Sequence, residues 1–194
     1  MLENPFWRDG LLVAGVDEAG RGALAGPLVV AAVVLPRGRY PYRDSKKLSP
    51  RQREILLDHI LQTALAWAVA ATSAAEIDRL GVLKATHRAA YTALDRLRLR
   101  PQAVITDYLF LSLDTPLLSP PRAEDNSPSV AAASILAKVV RDRIMIGLDK
   151  LYPQYGFAAH KGYGTARHLQ ALRRYGPAEV HRRRFAPVAR SPLL

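Results

Sequence analysis

The 194-residue chain contains no cysteine. That excludes disulfides, thiolate zinc sites and cysteine nucleophiles, so any metal must be held by oxygen or imidazole. Long apolar runs are also missing. None approaches the roughly eighteen residues that a membrane-spanning helix needs. There is no GxxxxGK[ST] phosphate loop and no GxGxxG following a strand, and the five histidines never take the HExxH zinc spacing. Acids are the scarce charge: 17 Asp and Glu face 28 Lys and Arg, for a formal net charge of +11 and a pI near 10.3. Such an excess favours a polyanionic partner, above all nucleic acid. Met1 to Gly10 mixes acids, a proline and Trp7 without the basic-then-apolar order of a secretory signal. A cytoplasmic protein with no membrane association is expected.

The apolar fraction, 49%, is ordinary for a globular chain. The length suits one domain with a small C-terminal appendage. No repeat or low-complexity tract interrupts it. From Tyr152 onward the texture changes to aromatics, glycines and basic groups, which divides the chain into residues 1–150 and a basic extension, 151–194.

Leu11 to Asp17 reads as a buried strand, and the valine-rich run Leu28 to Leu35 as a second, antiparallel to the first across a short glycine-containing link. Ser49, Pro50 and Gln52 form a capping box that starts a helix running to about Thr63, with Leu56 and Ile60 facing inward. Leu65 to Ala71 suits a third strand and Ala74 to Leu80 a short helix ended by Gly81. Val82 to Leu99 is expected to be helical, with Leu83, Thr86, Ala90, Leu94 and Leu97 on one stripe and Lys84, Arg88, Arg96 and Arg98 opposite. Ala103 to Asp107 is a fourth strand, parallel to the first through a crossover. Residues 109–122 are irregular, with room for a short fifth strand. Ser127 and Pro128 open a long helix to about Leu151 whose alanine-rich first half can pack close to a sheet. Thr165 caps a last helix, Ala166 to Tyr175.

The first strand carries the unusual feature. Asp17 and Glu18 stand side by side inside an apolar run, followed by Gly20-Arg21-Gly22. Successive strand residues point to opposite faces, so both acids reach one site only if the strand ends or bulges there. An isolated Asp-Glu before Gly-x-Gly is most often a charged strand end. Here further acids follow: Asp107 closes the fourth strand, and Glu124 and Asp125 precede the long helix, where a first-turn cap is the plain alternative. If the first and fourth strands are neighbours, Asp17 and Asp107 share one edge. Carboxylates gathered there repel unless divalent cations lie among them, and an all-oxygen ligand set suits Mg²⁺ or Mn²⁺. An acidic pocket on a basic protein is the pattern of a metal-dependent nuclease. Lys46 and Lys47 precede a helix start, where phosphate is favoured, although a lysine pair is more often plain solvated surface. His160 stands out among the histidines only for its glycine, aromatic and basic neighbours.

Val16-Asp17-Glu18-Ala19-Gly20-Arg21-Gly22, Asp44-Ser45-Lys46-Lys47-Leu48, Ala132-Ala133-Ser134-Ile135-Leu136-Ala137-Lys138-Val139 with Arg141-Asp142, and His160-Lys161-Gly162-Tyr163 together resemble bacterial ribonuclease HII, the type 2 ribonuclease H family. The resemblance spans about residues 11 to 188. It implies an α/β fold: the ribonuclease H mixed five-stranded sheet flanked by helices, with a small C-terminal helical extension. It implies endonucleolytic hydrolysis of the RNA strand of RNA–DNA hybrids and nicking of duplex DNA at embedded ribonucleotides, leaving 3′-hydroxyl and 5′-phosphate ends. The family's metal-binding acids match Asp17, Glu18 and Asp107, with Mn²⁺ or Mg²⁺ as the ion. Its fourth acid is usually an Asp ten residues before the Ser of Ser-Ile-Leu-Ala-Lys. Here that position is Glu124, with Asp125 one place later, and Glu124 is favoured over Asp125. Gly20, Arg21 and Gly22 match the reader of the ribose 2′-OH, Tyr163 the residue that senses the ribonucleotide junction, and Lys46 and Lys47 phosphate contacts. Charge alone suggests that Arg182, Arg183 and Arg184 grip the nucleic-acid backbone. Tyr108 departs from the family, which commonly has Gly there. A monomer is expected. The competing readings are a catalytically silent nucleic-acid-binding module and metal-free cleavage by 2′-OH attack, which needs an acid–base pair the sequence does not announce.

Overall fold

The strand Leu28–Val34 (β2) sets the architecture, since all seven of its residues are buried. A strand covered on both faces needs helices above and below it. On one side it pairs antiparallel with β1 (Val13–Ala19), and on the other antiparallel with β3 (Ala66–Thr72). β1 pairs parallel with β4 (Ala103–Thr106), and β4 with the two-residue β5 (Leu117–Leu118), which gives the order β3-β2-β1-β4-β5. The short fifth strand does lie within 109–122. The computed structural model describes residues 1–191, so the last three residues of the 151–194 extension lie outside it.

Alternate β2 residues feed two cores. Leu28, Val30, Ala32 and Val34 join α4 (Val82–Asp95), while Val29, Ala31 and Val33 meet α2 (Pro50–Thr63) and α5 (Pro128–Leu151). The caps form where side-chain chemistry calls for them. Ser49 and Gln52 close both bonds of the capping box, Ser127 accepts from Val130 N, and Thr165 caps α7 (Ala166–Tyr175). The short helix α3 (Ala74–Leu80) starts on a second capping box, Ser73 with Glu76. α5 is buried all round from Pro128 to Ala137, and it lies on β1 almost backbone to backbone. A Cβ on Gly15 would stand 2.1 Å from the Ser129 carbonyl carbon, so only glycine permits the approach.

Three expectations need correction. Leu83 is 52% exposed, and the buried stripe of α4 is Ala85, Thr86, Ala89, Ala90 and Ala93. Small residues let the helix sit close to the sheet, and Leu83 falls on the outer side of its first turn. The helix also stops at Asp95 rather than Leu99. The chain then bends so that Arg96 and Arg98 donate to the Val69 and Leu65 carbonyls of the edge around β3 (2.7–3.0 Å), blunting that edge against other strands. On α2 the buried residues are Leu57 and Ile60, with Leu56 half-buried. An N-terminal helix, α1 (Asn4–Arg8), has no counterpart in the sequence reading. Nor do α6 (Phe157–His160) and α8 (Ala186–Ala189). Tyr155, Phe157, Leu172 and Val188 pack on Leu24 and Ala25, and Ala25 makes a β-bridge with His181. The C-terminal segment is thereby folded against the loop between β1 and β2.

Candidate active site

β1 does not bulge at its two acids, and it ends one residue beyond them, at Ala19. Asp17 and Glu18 stay in register with Ala31 and Val30 of β2. What ends before them is the ladder on the other side, whose last pair is Val16 with Thr106. Asp107, the next residue after β4, therefore lies beside Asp17 in register, at the free end of the strand pair. Its Oδ1 accepts from Ala123 N (3.1 Å), which draws the turn Ala123–Asp125 to the same edge.

The electrostatics show that these acids form one group. Asp17 is pushed up to about 8, first by burial and then by the charge of Glu18, with Asp107 adding to it. Burial raises Glu18; Arg21 opposes that and Asp107 reinforces it. Glu124 is also raised by burial and by Asp107. The residue is 8% exposed, and its Oε2 is buried without a partner. Burial by itself would lower Lys46, but the charges of Asp44, Asp17, Glu124 and Asp107 outweigh it and raise the ammonium. One lysine thus faces the whole acidic group. Ser134 on α5 lies near enough to Asp17 to oppose part of that carboxyl's rise and meets Ser45 Oγ at 2.9 Å. Neither serine was assigned a role from sequence, although both sit inside the motifs.

Asp125 is oriented differently. It pairs with Lys47 Nζ and Arg122 Nη2, each at 2.6 Å, and both pairings hold its carboxyl below the ordinary range. Of the two candidate fourth acids, the structure turns Glu124 toward Asp107 and Asp125 toward the basic rim. Neither caps α5. Ser127 is the cap, and fully buried Glu3 backs it, its Oε1 accepting from Ser127 Oγ (2.6 Å) and Ser129 N (3.0 Å). Its position 124 residues before Ser127 gave the sequence reading no signal.

Beside the acids opens a cavity of about 450 Å³, lined by Glu18, Gly20, Arg21, Lys46, Lys138 and Tyr163 among others. Gly20 has φ +89°, and a Cβ there would fall 1.8 Å from Arg141 Nε. Arg141 is fully buried, donates to Pro27 O and Ala25 O, and lies 5.3 Å from the centre of the Tyr163 ring. Arg21 reaches Glu18 at 3.7 Å, while Gly22 has open space around it. Leu24 N and Ala25 N both donate to Gly162 O (2.8 and 3.3 Å), which ties Tyr163 to the Gly-Arg-Gly loop. His160 serves that turn: Gly162 N donates to its Nδ1 and its Nε2 meets Tyr155 O (2.8 Å). With both ring nitrogens on backbone, it is a structural histidine.

Arg182 must be corrected. It is fully buried, and its guanidinium donates to Arg21 O (2.9 Å) and to Gly26 O (3.2 and 3.0 Å). It props the Gly-Arg-Gly loop from inside, and its donors do not face solvent. Only the side chains of Arg183 and Arg184 are exposed. Their backbone N–H groups are held by the Asp78 carboxylate (2.7 and 3.1 Å).

Among the described residues, no three acidic or imidazole groups converge tightly enough to make a ready metal cluster. The residues nevertheless suit a divalent cation. They supply oxygen donors only, and they include an unpartnered buried Glu124 oxygen and an Asp17 carboxyl that neutral pH cannot fully ionise. No described helix is long and apolar enough to cross a membrane.

A sheet of this order with carboxylates at the adjoining ends of β1 and β4 defines a ribonuclease H-type hydrolase. The ribonuclease H2 of Pyrococcus horikoshii OT3 superposes with a TM-score of 0.79 at 28% identity, over 92% of this chain and 96% of that one. The family profile for ribonuclease HII matches residues 14–188. Ribonuclease HII of Thermus thermophilus, from each of two strains, is 66% identical over 192 residues, covering 99% of this chain and 95% of the relative. The chain belongs to the ribonuclease HII family.

Proposed function

We propose that this chain is an endoribonuclease that hydrolyses the RNA strand of RNA–DNA hybrids. It also nicks duplex DNA 5′ of embedded ribonucleotides, leaving 3′-hydroxyl and 5′-phosphate ends. The observation that carries the reading is the gathering of Asp17, Glu18, Asp107 and the turn that bears Glu124 at the adjoining ends of β1 and β4, beside a cavity lined by Gly20, Arg21 and Gly22. Those four acids would hold Mg²⁺ or Mn²⁺. When bound, such ions supply an activated water and stabilise the leaving oxygen of a phosphodiester.

The chain's own residues do the rest. Gly20, Arg21 and Gly22 offer backbone groups to the ribose 2′-OH, the atom that separates RNA from DNA. Arg182 draws the Arg21 carbonyl inward. In a trans peptide the following Gly22 N–H then points the opposite way, toward the cavity. Tyr163 sits against the cations of Arg141 and Lys138 and presents its ring to the sugar at the junction. Lys46 and Lys47 contact phosphate, and exposed Arg183 and Arg184 add sequence-independent attraction. Residues 1–150 carry the chemistry and 151–194 support substrate binding, in a cytoplasmic monomer.

A labelled DNA duplex with one ribonucleotide tests the reading. Nicking on its 5′ side with Mn²⁺ or Mg²⁺, abolished by chelator, is expected. Cyclic-phosphate ends would exclude metal-ion hydrolysis. Tight binding of an uncut substrate would identify a silent binding module instead.

A further inference from the structure

Tyr108 and Phe110 are the two most exposed aromatic residues among those described, at 63% and 62%. Their rings lie edge to face with centroids 5.3 Å apart. Leu109 and Leu111 between and beyond them are buried, at 3% and 7%. The segment therefore alternates, with leucines anchored in the core and aromatics held out. Its backbone is pinned: Thr106 Oγ1 donates to Leu109 O (2.7 Å) and Tyr108 N to Pro120 O (3.3 Å). Tyr108 itself adopts φ +49°, a left-handed conformation that bulky side chains avoid. A glycine would sit there without strain, yet the chain carries a large ring that it does not bury. Strain kept beside acidic residues points to use.

Tyr108 directly follows Asp107. β4 lies between β1 and β5, so the pair stands on the β5 side of the acids, and the Gly-Arg-Gly cavity belongs to the loop leaving β1. Arg122, exposed and paired with Asp125, lies two residues past the Pro120 carbonyl that holds Tyr108. We propose that Tyr108 and Phe110 form a second contact site for the duplex, an apolar platform for the sugars of the minor groove beyond the scissile phosphate. This rests on the nuclease reading above. Sugars are favoured over bases because a hybrid's minor groove is wide and shallow and displays them, whereas stacking on a base inside a duplex first requires unstacking it. The contact is apolar and therefore independent of sequence and of counterion release.

Tyr108→Gly and Phe110→Ala test the platform, with KM, kcat and melting temperature measured on a fluorescent RNA–DNA hybrid in Mn²⁺ at several salt concentrations. Tyr108→Gly relieves the left-handed strain, so it should melt at or above the wild-type temperature. KM should rise about fivefold to tenfold in each variant, with kcat within twofold. The slope of log KM against log salt should stay unchanged, because no phosphate contact is lost. KM within twofold of wild type in both variants overturns the platform. So does a fall in kcat with KM unchanged, which would mean that the segment only shapes Asp107, or a flattened salt slope. A wild-type chain that leaves the hybrid uncut overturns the nuclease reading itself. A wild-type chain that cuts, beside variants of equal KM, overturns the platform alone.

Discussion

Replacing Asp17 with asparagine should stabilise the metal-free protein while ending its activity. Asp17 is pushed up to about 8 in the folded chain, against about 3.9 for an exposed carboxyl. The folded state therefore holds a proton that the unfolded state releases between about pH 4 and pH 8, and stability falls as pH rises through that window. At pH 7 the gap of roughly three units corresponds to about 4 kcal/mol at most. Asp17 is only partly shielded from water, so roughly half, about 2 kcal/mol, is the expected penalty. For a chain of this size that is about 4–8 °C in melting temperature. Thermal melts in chelator at pH 6.5, 7 and 8 measure it. Asp17→Asn should melt higher than wild type by several degrees, and the difference should widen with pH. Adding millimolar Mn²⁺ should raise the wild-type melting temperature and move the variant much less, since ions relieve the same repulsion that the amide removes. A variant that melts lower than wild type in chelator at pH 8, or a wild type indifferent to Mn²⁺, would refute the idea that these carboxylates strain the empty site.

Glu124→Gln should lower the cleavage rate at least a hundredfold, whereas Asp125→Asn should stay within a few-fold, because Asp125 is spent on exposed pairs with Lys47 and Arg122. Comparable losses in the two single-turnover rates would show the assignment to be wrong. Gly15→Ala should cost about 3 kcal/mol or more in urea unfolding, since its Cβ would stand 2.1 Å from the Ser129 backbone and overpacking against backbone has no flexible side chain to absorb it. A cost under about 1 kcal/mol would contradict the close seat of α5 on β1. His168 and His181 meet at 3.1 Å through Nε2, and burial lowers both to about 4. The unfolded chain protonates them below about pH 6.5 while the folded chain resists until about pH 4, so their contribution is lost as pH falls through that window. His168→Gln should flatten the decline in melting temperature between pH 6.5 and 4.5. An unchanged decline would place it elsewhere.

Local signals in the sequence were enough wherever neighbours along the chain do the work. Ser49 with Gln52, Ser127 before Pro128, and Thr165 cap their own helices, because a cap bonds to backbone two or three residues away. The apolar run of β2 announced a strand covered on both faces, and the apolar runs that lead to Asp17 and to Asp107 pointed to those acids. The tertiary structure alone decided matters that depend on what comes from far away. Arginine at 182 looks like surface charge by composition, yet it lies inside because carbonyls of the loop at 21 and 26 meet it there. Leu83 looks like core by spacing, yet alanines take its place because close packing, not side-chain size, set the helix position. Glu124 and Asp125 are adjacent and chemically alike, and a turn of one residue sends one toward Asp107 and the other toward lysine and arginine. Sequence determines which groups are available and which bonds close locally. Burial and long-range pairing determine their charge state and direction, because both depend on the summed field of residues that only folding brings together.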